Sequence, residues 1–157
     1  SKGILSSKQY LNRLNNPTDW TSEILSKYVC PSRAICKVIK TKSLTNGLSG
    51  FFVTIRYLSQ NNDIKNFYNI SNEIMSQNGI FSIHCFKSDR EISLIKTKEK
   101  VIRSFQGNED EIIDYAVVIE CLNVNKVKNF LLNNLKIKTD KKIKINYYQL
   151  QHVMELG

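Results

Sequence analysis

Four short runs in this chain alternate hydrocarbon with mixed chemistry at every second residue, and segments of helical period lie between them. The runs are "FFVTIRYL" (51–58), "GIFSIHCF" (79–86), "DYAVVIECL" (114–122) and "KIKINYYQL" (142–150). A period of two sends successive side chains to opposite faces of a strand, so each run reads as a strand with two chemically different sides. Between the first two, residues 63–78 carry Ile64, Phe67, Tyr68, Ile74 and Met75 at helical spacing. Asn62 can cap that helix, and Asn78-Gly79 supplies a left-handed exit. "NVNKVKNFLLNNL" (123–135) reads as a second helix, capped by Asn123. From residue 51 onward the order is therefore strand, helix, strand, long insertion, strand, helix, strand. A chain with that order builds an α+β sheet with its crossover helices on one face.

The flanking segments fit the same plan. Residues 7–14 suit a short helix capped by Ser6 or Ser7 and ended by Pro17. "TDWTSEILSKY" suits a second helix capped by Thr18, with Trp20, Ile24 and Tyr28 on an apolar stripe and Pro31 as its stop. "AICKVIKT" (34–41) is β-branched and alternating and adds an edge strand, with "KSLTNGLSG" as a hairpin loop leading to the strand at 51. In the insertion at 87–113, Ser88 and Glu91 form an S-x-x-E capping box. Ile92, Ile95, Ile102 and Phe105 then recur with helical spacing, while Lys96, Lys98 and Lys100 form a wet basic face. The whole reads as a single domain, 1–157, with N-terminal helices and the edge strand in 1–50 and the core in 51–157.

Charge says less than its size suggests. The chain carries 23 basic and 14 acidic residues, a formal +9, yet only five of the cations are arginines. Arginine is the better reader of phosphates and base edges, so the lysine excess does not make nucleic acid the expected partner. No apolar run approaches the roughly 18–20 residues of a bilayer span. "SKGILSSKQYLNRL" lacks an apolar leader core, so a cytoplasmic location is expected. Cys30, Cys36, Cys85 and Cys121 match no zinc or CxxC spacing and are expected to be reduced. A nucleophilic cysteine paired with His84 or His152 is the reactive alternative, although nothing local points to an activated thiolate. The two histidines give no metal-ligand spacing, and neither a metal nor a cofactor is expected.

Face by face, Val53, Ile55, Ile83, Val117, Ile119, Cys121, Ile143 and Ile145 sit on the hydrocarbon side and should meet the helices. The other side is mixed. It carries Phe52, Phe86, Val118 and Leu122 beside Arg56, His84, Glu120 and Tyr148, and alternation puts Ile80 and Ser82 there too. A solvated face would not need so much apolar surface, and a core would not tolerate Arg, His and Glu together. The mixture fits a concave pocket with a few convergent polar groups.

"GFFVTIRYL", "GIFSIHCFKSD" and "DYAVVIECLNVNKVKNFLL" together resemble the ferredoxin-like half-barrels of the dimeric α+β barrel superfamily. That group includes the antibiotic-biosynthesis monooxygenases, the EthD-like proteins and the stress-responsive barrel proteins. The resemblance implies a homodimer whose open sheet faces meet around a small hydrophobic molecule, and in some relatives a cofactor-independent oxygenation, cyclisation or isomerisation. Under it, His84 would carry the catalytic proton, with Arg56, Glu120, Tyr148, Phe52 and Phe86 lining the ligand site. Arg56 and Glu120 lie on neighbouring strands and are expected to pair, holding a ligand carboxylate and orienting a base. Each role has a structural counterpart: His84 as a hydrogen-bonded interface residue, Arg56–Glu120 as an ion pair that fixes the sheet, Tyr148 as packing. Two other functional classes compete. One is an RNA-binding module of the RRM type, which shares the βαββαβ order but stacks bases on open-face aromatics of the central strands, where only Phe52 qualifies, and "FFVTIRYL" lacks the K/R-G-F/Y-G/A-F pattern. The other is a structural homodimer with no ligand.

Overall fold

The computed structural model of the chain describes residues 2–27, 34–44, 49–58, 71–104, 113–134 and 143–151. Tyr28, Cys30, the Asn46-Gly47 pair, the Asn62 cap with Ile64, Phe67 and Tyr68, Phe105, the loop at 106–111 and His152 lie outside the described residues. The chain divides into two compact units, one of Ser1–Ile35 with Asp89–Ile112, the other of Cys36–Ser88 with Ile113–Gly157.

The second unit is an α+β sheet. Its strands are β1 (Cys36–Ser43), β2 (Phe51–Tyr57), β3 (Ile80–Ser88), β4 (Tyr115–Cys121) and β5 (Ile143–Gln149). They form one open antiparallel sheet in the order β1-β3-β4-β2-β5. Helical residues 71–75 (α4) precede β3, and α7 (Val124–Asn134) follows β4. Val53, Ile55 and Tyr57 of β2, Ile83 and Cys85 of β3, and Val117, Ile119 and Cys121 of β4 are buried together with Ile74, Met75, Val127 and Leu131 of the helices. Val127 and Leu131 are four residues apart, one turn of α7, so both reach the same side of the sheet. The hydrocarbon faces of these three strands are thus the core, as alternation predicts.

Two features depart from the alternation. Ile80 is 4% exposed and belongs to the core, although strict alternation places it with His84. The β3–β4 register shifts between Ile80 and Ser82, so Ile80 opposes Cys121 while Ser82 opposes Glu120. Phe81 is the extra residue, and one extra residue moves what precedes it to the other face. The edge strand β1 also sits elsewhere than a hairpin would put it. It pairs with β3, not with β2. The register shifts between Val38 and Lys40 as well. An edge strand carrying Lys37, Lys40, Lys42 and a bulge resists pairing with further strands.

Local signals hold at the element ends. Asn123 Oδ1 accepts from the Asn125 N–H at 2.9 Å and opens α7. Gly79 adopts φ +90°, where a side chain is strained, and the Leu122 N–H donates to its carbonyl at 2.8 Å.

The first unit is helical: α1 (Lys2–Leu5), α2 (Lys8–Asn15), α3 (Asp19–Ser26), α5 (Arg90–Ser93) and α6 (Lys98–Ser104). Ser7 caps α2 by accepting from the Tyr10 N–H, and Thr18 caps α3 by accepting from Thr21. Trp20 is 71% exposed, so it does not join an apolar stripe; Thr21, Ile24 and Leu25 are the shielded side of α3. The insertion is two short helices, not one. Asp89, not Ser88, is the cap of α5, because Ser88 is still strand and its N–H donates to the Asp114 carbonyl. Thr97 Oγ1 then accepts from the Lys100 N–H at 3.4 Å and starts α6. A threonine hydroxyl competes with the helix ladder and favours a fresh N-terminus. The Lys98 N–H donates to Asn15 Oδ1 at 3.1 Å and ties α6 to the end of α2. Ile35 and Ser93 exchange two hydrogen bonds of 3.0 and 3.2 Å, which anchor the segment leading to β1 on α5.

Ile119 is fully buried at the centre of the sheet. Ile119→Ala is expected to lower the unfolding free energy by about 3 kcal/mol, against about 0.5 kcal/mol or less for exposed Leu122→Ala. Gly79→Ala should cost about 1 kcal/mol through its backbone angle, since its added Cβ would meet only the Leu122 Cβ, at 3.8 Å. Urea midpoints of the three variants check all three values.

Candidate functional site

The sheet face opposite α4 and α7 is half-buried in its central strands and carries most of the polar side chains of the strands. Strand register sorts it into three rows. Thr41, His84, Val118, Thr54 and Asn146 oppose one another across the sheet. On one side of this row run Ser43, Ser82, Glu120, Phe52 and Tyr148. On the other run Val38, Phe86, Ala116, Arg56 and Lys144. Neighbouring strands are about 4.8 Å apart and successive rows about 7 Å, so the face is a grid of known pitch.

His84 is held at both ring nitrogens. Thr41 Oγ1 lies 3.2 Å from Nδ1 and Ser82 Oγ lies 3.0 Å from Nε2. Glu120 Oε1 stands 3.9 Å from the same Nε2, close enough for charge attraction but too far for a hydrogen bond. The two side chains are 29% and 26% exposed, so a molecule on this face can touch both. The ring of Phe86 stands 6.4 Å away, tilted by 39°. Ser82 is only 2% exposed, which makes it a clamp for the imidazole and not a surface group. The Ser82 hydroxyl and the carboxylate share one ring nitrogen, and Glu120, at 3.9 Å, makes no hydrogen bond that would orient the ring for the Thr41 hydroxyl on the other, so this is not a Ser-His-acid relay. What the cluster can do is orient one imidazole toward a bound molecule and hold a carboxylate beside it.

Arg56 is placed differently from expectation. It opposes Ala116, while Glu120 opposes Phe52. Four residues along β4 separate the two rows, roughly 13 Å, so Arg56 and Glu120 do not pair. Arg56 Nη2 instead donates to Asn146 Oδ1 at 2.7 Å, and its Nε is buried without a hydrogen-bond acceptor. Tyr148 lies next to Phe52 on the edge strand β5 and is 51% exposed. The six expected residues thus share one face, but in two groups: His84 with Glu120, and Arg56 a row or more away.

Thr41, Ser82 and Asn146 are the site residues that motif reasoning passes over. Alternation already sets Ser82 beside His84 and Asn146 beside Tyr148. Thr41 reaches His84 only because β1 pairs with β3, which no local signal announces.

The described cysteines are unsuited to nucleophilic chemistry. Cys36, Cys85 and Cys121 are free thiols, and burial pushes each above its usual value. Lys40 offsets this in part for Cys85, and a backbone hydrogen bond from Asn123 does so for Cys121. Among the described residues no three His, Cys, Asp or Glu side chains group as metal ligands, and no helix is long and apolar enough to cross a membrane. The helical unit has its own cleft, lined chiefly by Leu11, Leu14, Ile35, Ile92 and Ile95. Its free space is about 30 Å³, room for a water or two, which makes it a packing gap and not a ligand site. Comparison of the chain with models of known families, with curated proteins and with solved structures finds no match.

Alkylation near pH 8 followed by peptide mass mapping should leave Cys85 and Cys121 unmodified in the native protein and label both after unfolding in urea. Rapid native labelling of Cys85 would mean that β3 is not packed as described.

Proposed function

We propose that this protein is a small-molecule-binding homodimer in which the open sheet faces of two copies close around a hydrophobic ligand, as in a dimeric α+β barrel. The observation that carries this reading is the mixed chemistry of the face around His84. A histidine fixed at both nitrogens, with a carboxylate 3.9 Å away, stands among Phe86, Phe52 and Val118 on a surface that the chain's own core helices do not cover. Apolar surface of this kind with a few oriented polar groups is what ligand pockets are made of. The strand order supports the reading too. Without the extra edge strand β1, the sheet order is β3-β4-β2-β5 with helices after β4 and before β3, which is the arrangement of a ferredoxin-like core.

In this reading His84 transfers the proton wherever the ligand undergoes chemistry, Glu120 supports the imidazolium that forms, and Phe52, Phe86 and Tyr148 hold the apolar body. An RNA-binding role for the same face is weaker. Of the central strands β4 and β2, only Phe52 offers an aromatic ring there, because Tyr115 packs against the core. Base stacking needs more than one such platform.

Light scattering should give twice the 18.2 kDa chain mass. Val118→Glu, at the middle of the face, should shift the protein to monomer while far-ultraviolet circular dichroism is unchanged. Native mass spectrometry of the purified dimer should show a retained organic molecule that His84→Ala and Phe86→Ala each release more readily. A wild-type chain that stays monomeric at high concentration and carries no adduct overturns the proposal.

A further inference from the structure

Glu120 is the one acid in the three open-face rows, whose other strand positions are apolar, hydroxyl, amide, imidazole or cationic. It stands on β4, the middle strand of the sheet, and its side chain is 26% exposed. Among the described residues its carboxylate accepts no hydrogen bond. The nearest polar partner is His84 Nε2 at 3.9 Å, and that nitrogen is already taken up by the Ser82 hydroxyl at 3.0 Å. The imidazole offers a balancing charge only when it carries a second proton. Arg56, the other charge of the central strands on this face, is roughly 13 Å away along the register. A carboxylate withdrawn from water without a donor is costly, so a position that keeps one is suited to an incoming cationic donor.

The surroundings favour the same sign of charge. Phe52 directly opposes Glu120 on β2, and Tyr148 opposes Phe52 on β5. Directly opposed side chains have Cβ atoms about 5 Å apart, so the row runs from a carboxylate to one ring and then to a second about 10 Å away. Aromatic rings carry negative faces, which attract a cation within about 6 Å and repel an anion. In the next row Val118 and Thr54 add no charge. Carboxylate and rings together therefore suit a cation attached to hydrocarbon, and give an anion nothing.

From this row we infer that Glu120, Phe52 and Tyr148 form a cation subsite, and that the ligand is an apolar amine. Its ammonium donates to the Glu120 carboxylate and stands beside the ring of Phe52, and its apolar body continues toward Tyr148. The ammonium takes the place next to Glu120 that an imidazolium fills when His84 is protonated. This rests on the reading of the open face as a ligand site and adds the chemical class of the ligand. An N–H donor on a cation makes the stronger, charge-assisted kind of hydrogen bond to a carboxylate.

The test is a ¹⁵N-resolved NMR titration of the full chain, at low salt and near neutral pH, with three probes of similar length: 2-phenylethylamine, 2-phenylethanol and phenylacetate. The amine is protonated under these conditions, as lysine is. It should bind about tenfold more tightly than the alcohol, with shifts at Glu120, Phe52 and Tyr148, and added salt should narrow the difference. Phenylacetate should bind no better than the alcohol. Glu120→Gln keeps the shape of the side chain and should reduce the amine's advantage to about twofold or less. Phe52→Leu keeps apolar bulk but removes the ring, and should reduce that advantage about threefold. Equal binding of amine and alcohol, tighter binding of phenylacetate, an advantage unchanged in either variant, or no binding by any probe overturns the subsite. Amine-selective binding by a strictly monomeric chain upholds the subsite while overturning the dimeric barrel. A dimer that retains an organic molecule yet does not distinguish amine from alcohol does the reverse.

Discussion

One-sided burial of the sheet is the constraint from which the rest follows. Val53, Ile55, Ile83, Val117, Ile119 and Cys121 are all within 2% of complete burial against α4 and α7. Fully burying a side chain of this size contributes about 1.5–3 kcal/mol. A slip of any strand by one residue would turn those side chains to the other face and lose that contribution several times over. The polar residues between them therefore have no freedom of placement. His84, Glu120 and Arg56 stand on the open face because Ile83, Cys85, Ile119, Ile55 and Tyr57 cannot stand there. The core does not touch a ligand, yet it fixes the coordinates of every group that would.

This explains which parts of the structure were legible from residues alone. Period-two alternation reports which face a side chain takes, and it placed all six expected site residues on the open face. Helix ends were legible where a cap has its own chemistry: Thr18, Asn123 and the positive φ of Gly79, with Ser7 one of two adjacent serines that fit the first. Alternation cannot report how far one strand is shifted along its neighbour, because a slip of two or four residues preserves every face. That is why Arg56 and Glu120 looked like partners. They share a face and lie on adjacent strands, but Arg56 opposes Ala116 and Glu120 opposes Phe52. Bulges are invisible for a related reason. Phe81 and the residue between Val38 and Lys40 are ordinary strand formers, and only the pairing shows that each is extra. The break between α5 and α6 escaped because the apolar spacing of Ile92, Ile95 and Ile102 runs through it. Hydrophobic spacing does not register that the Thr97 hydroxyl offers the backbone another partner.

The edge strand changes the site and not only the sheet. Without β1, Nδ1 of His84 would have no protein partner among the described residues, and its ring would turn about its side-chain torsions. With β1 in place, Thr41 holds one nitrogen and Ser82 the other, and the imidazole is fixed before any ligand arrives. Preorganised groups spend no free energy on ordering when a ligand binds. The bulge in β1 is part of the same arrangement. It adds one residue between Val38 and Lys40, which lets Val38 oppose Phe86 and Thr41 oppose His84 on one face although three residues separate them. Regular alternation from Val38 would have sent Thr41 to the opposite face and left Lys40 facing the histidine.

The open face then divides its chemistry by row. At one end an oriented imidazole has a carboxylate beside it, so a proton moving onto His84 would meet a neighbouring negative charge. At the other end the Arg56 guanidinium donates to the Asn146 amide oxygen and stands opposite Lys144 in the register. Val118 and Thr54 lie between the two ends and carry no charge. This separation has a physical use. Were Glu120 paired to Arg56, as adjacency of their strands suggested, the two charges would satisfy each other, and neither would be left to act on a ligand. The register that keeps them roughly 13 Å apart means that neither charge neutralises the other.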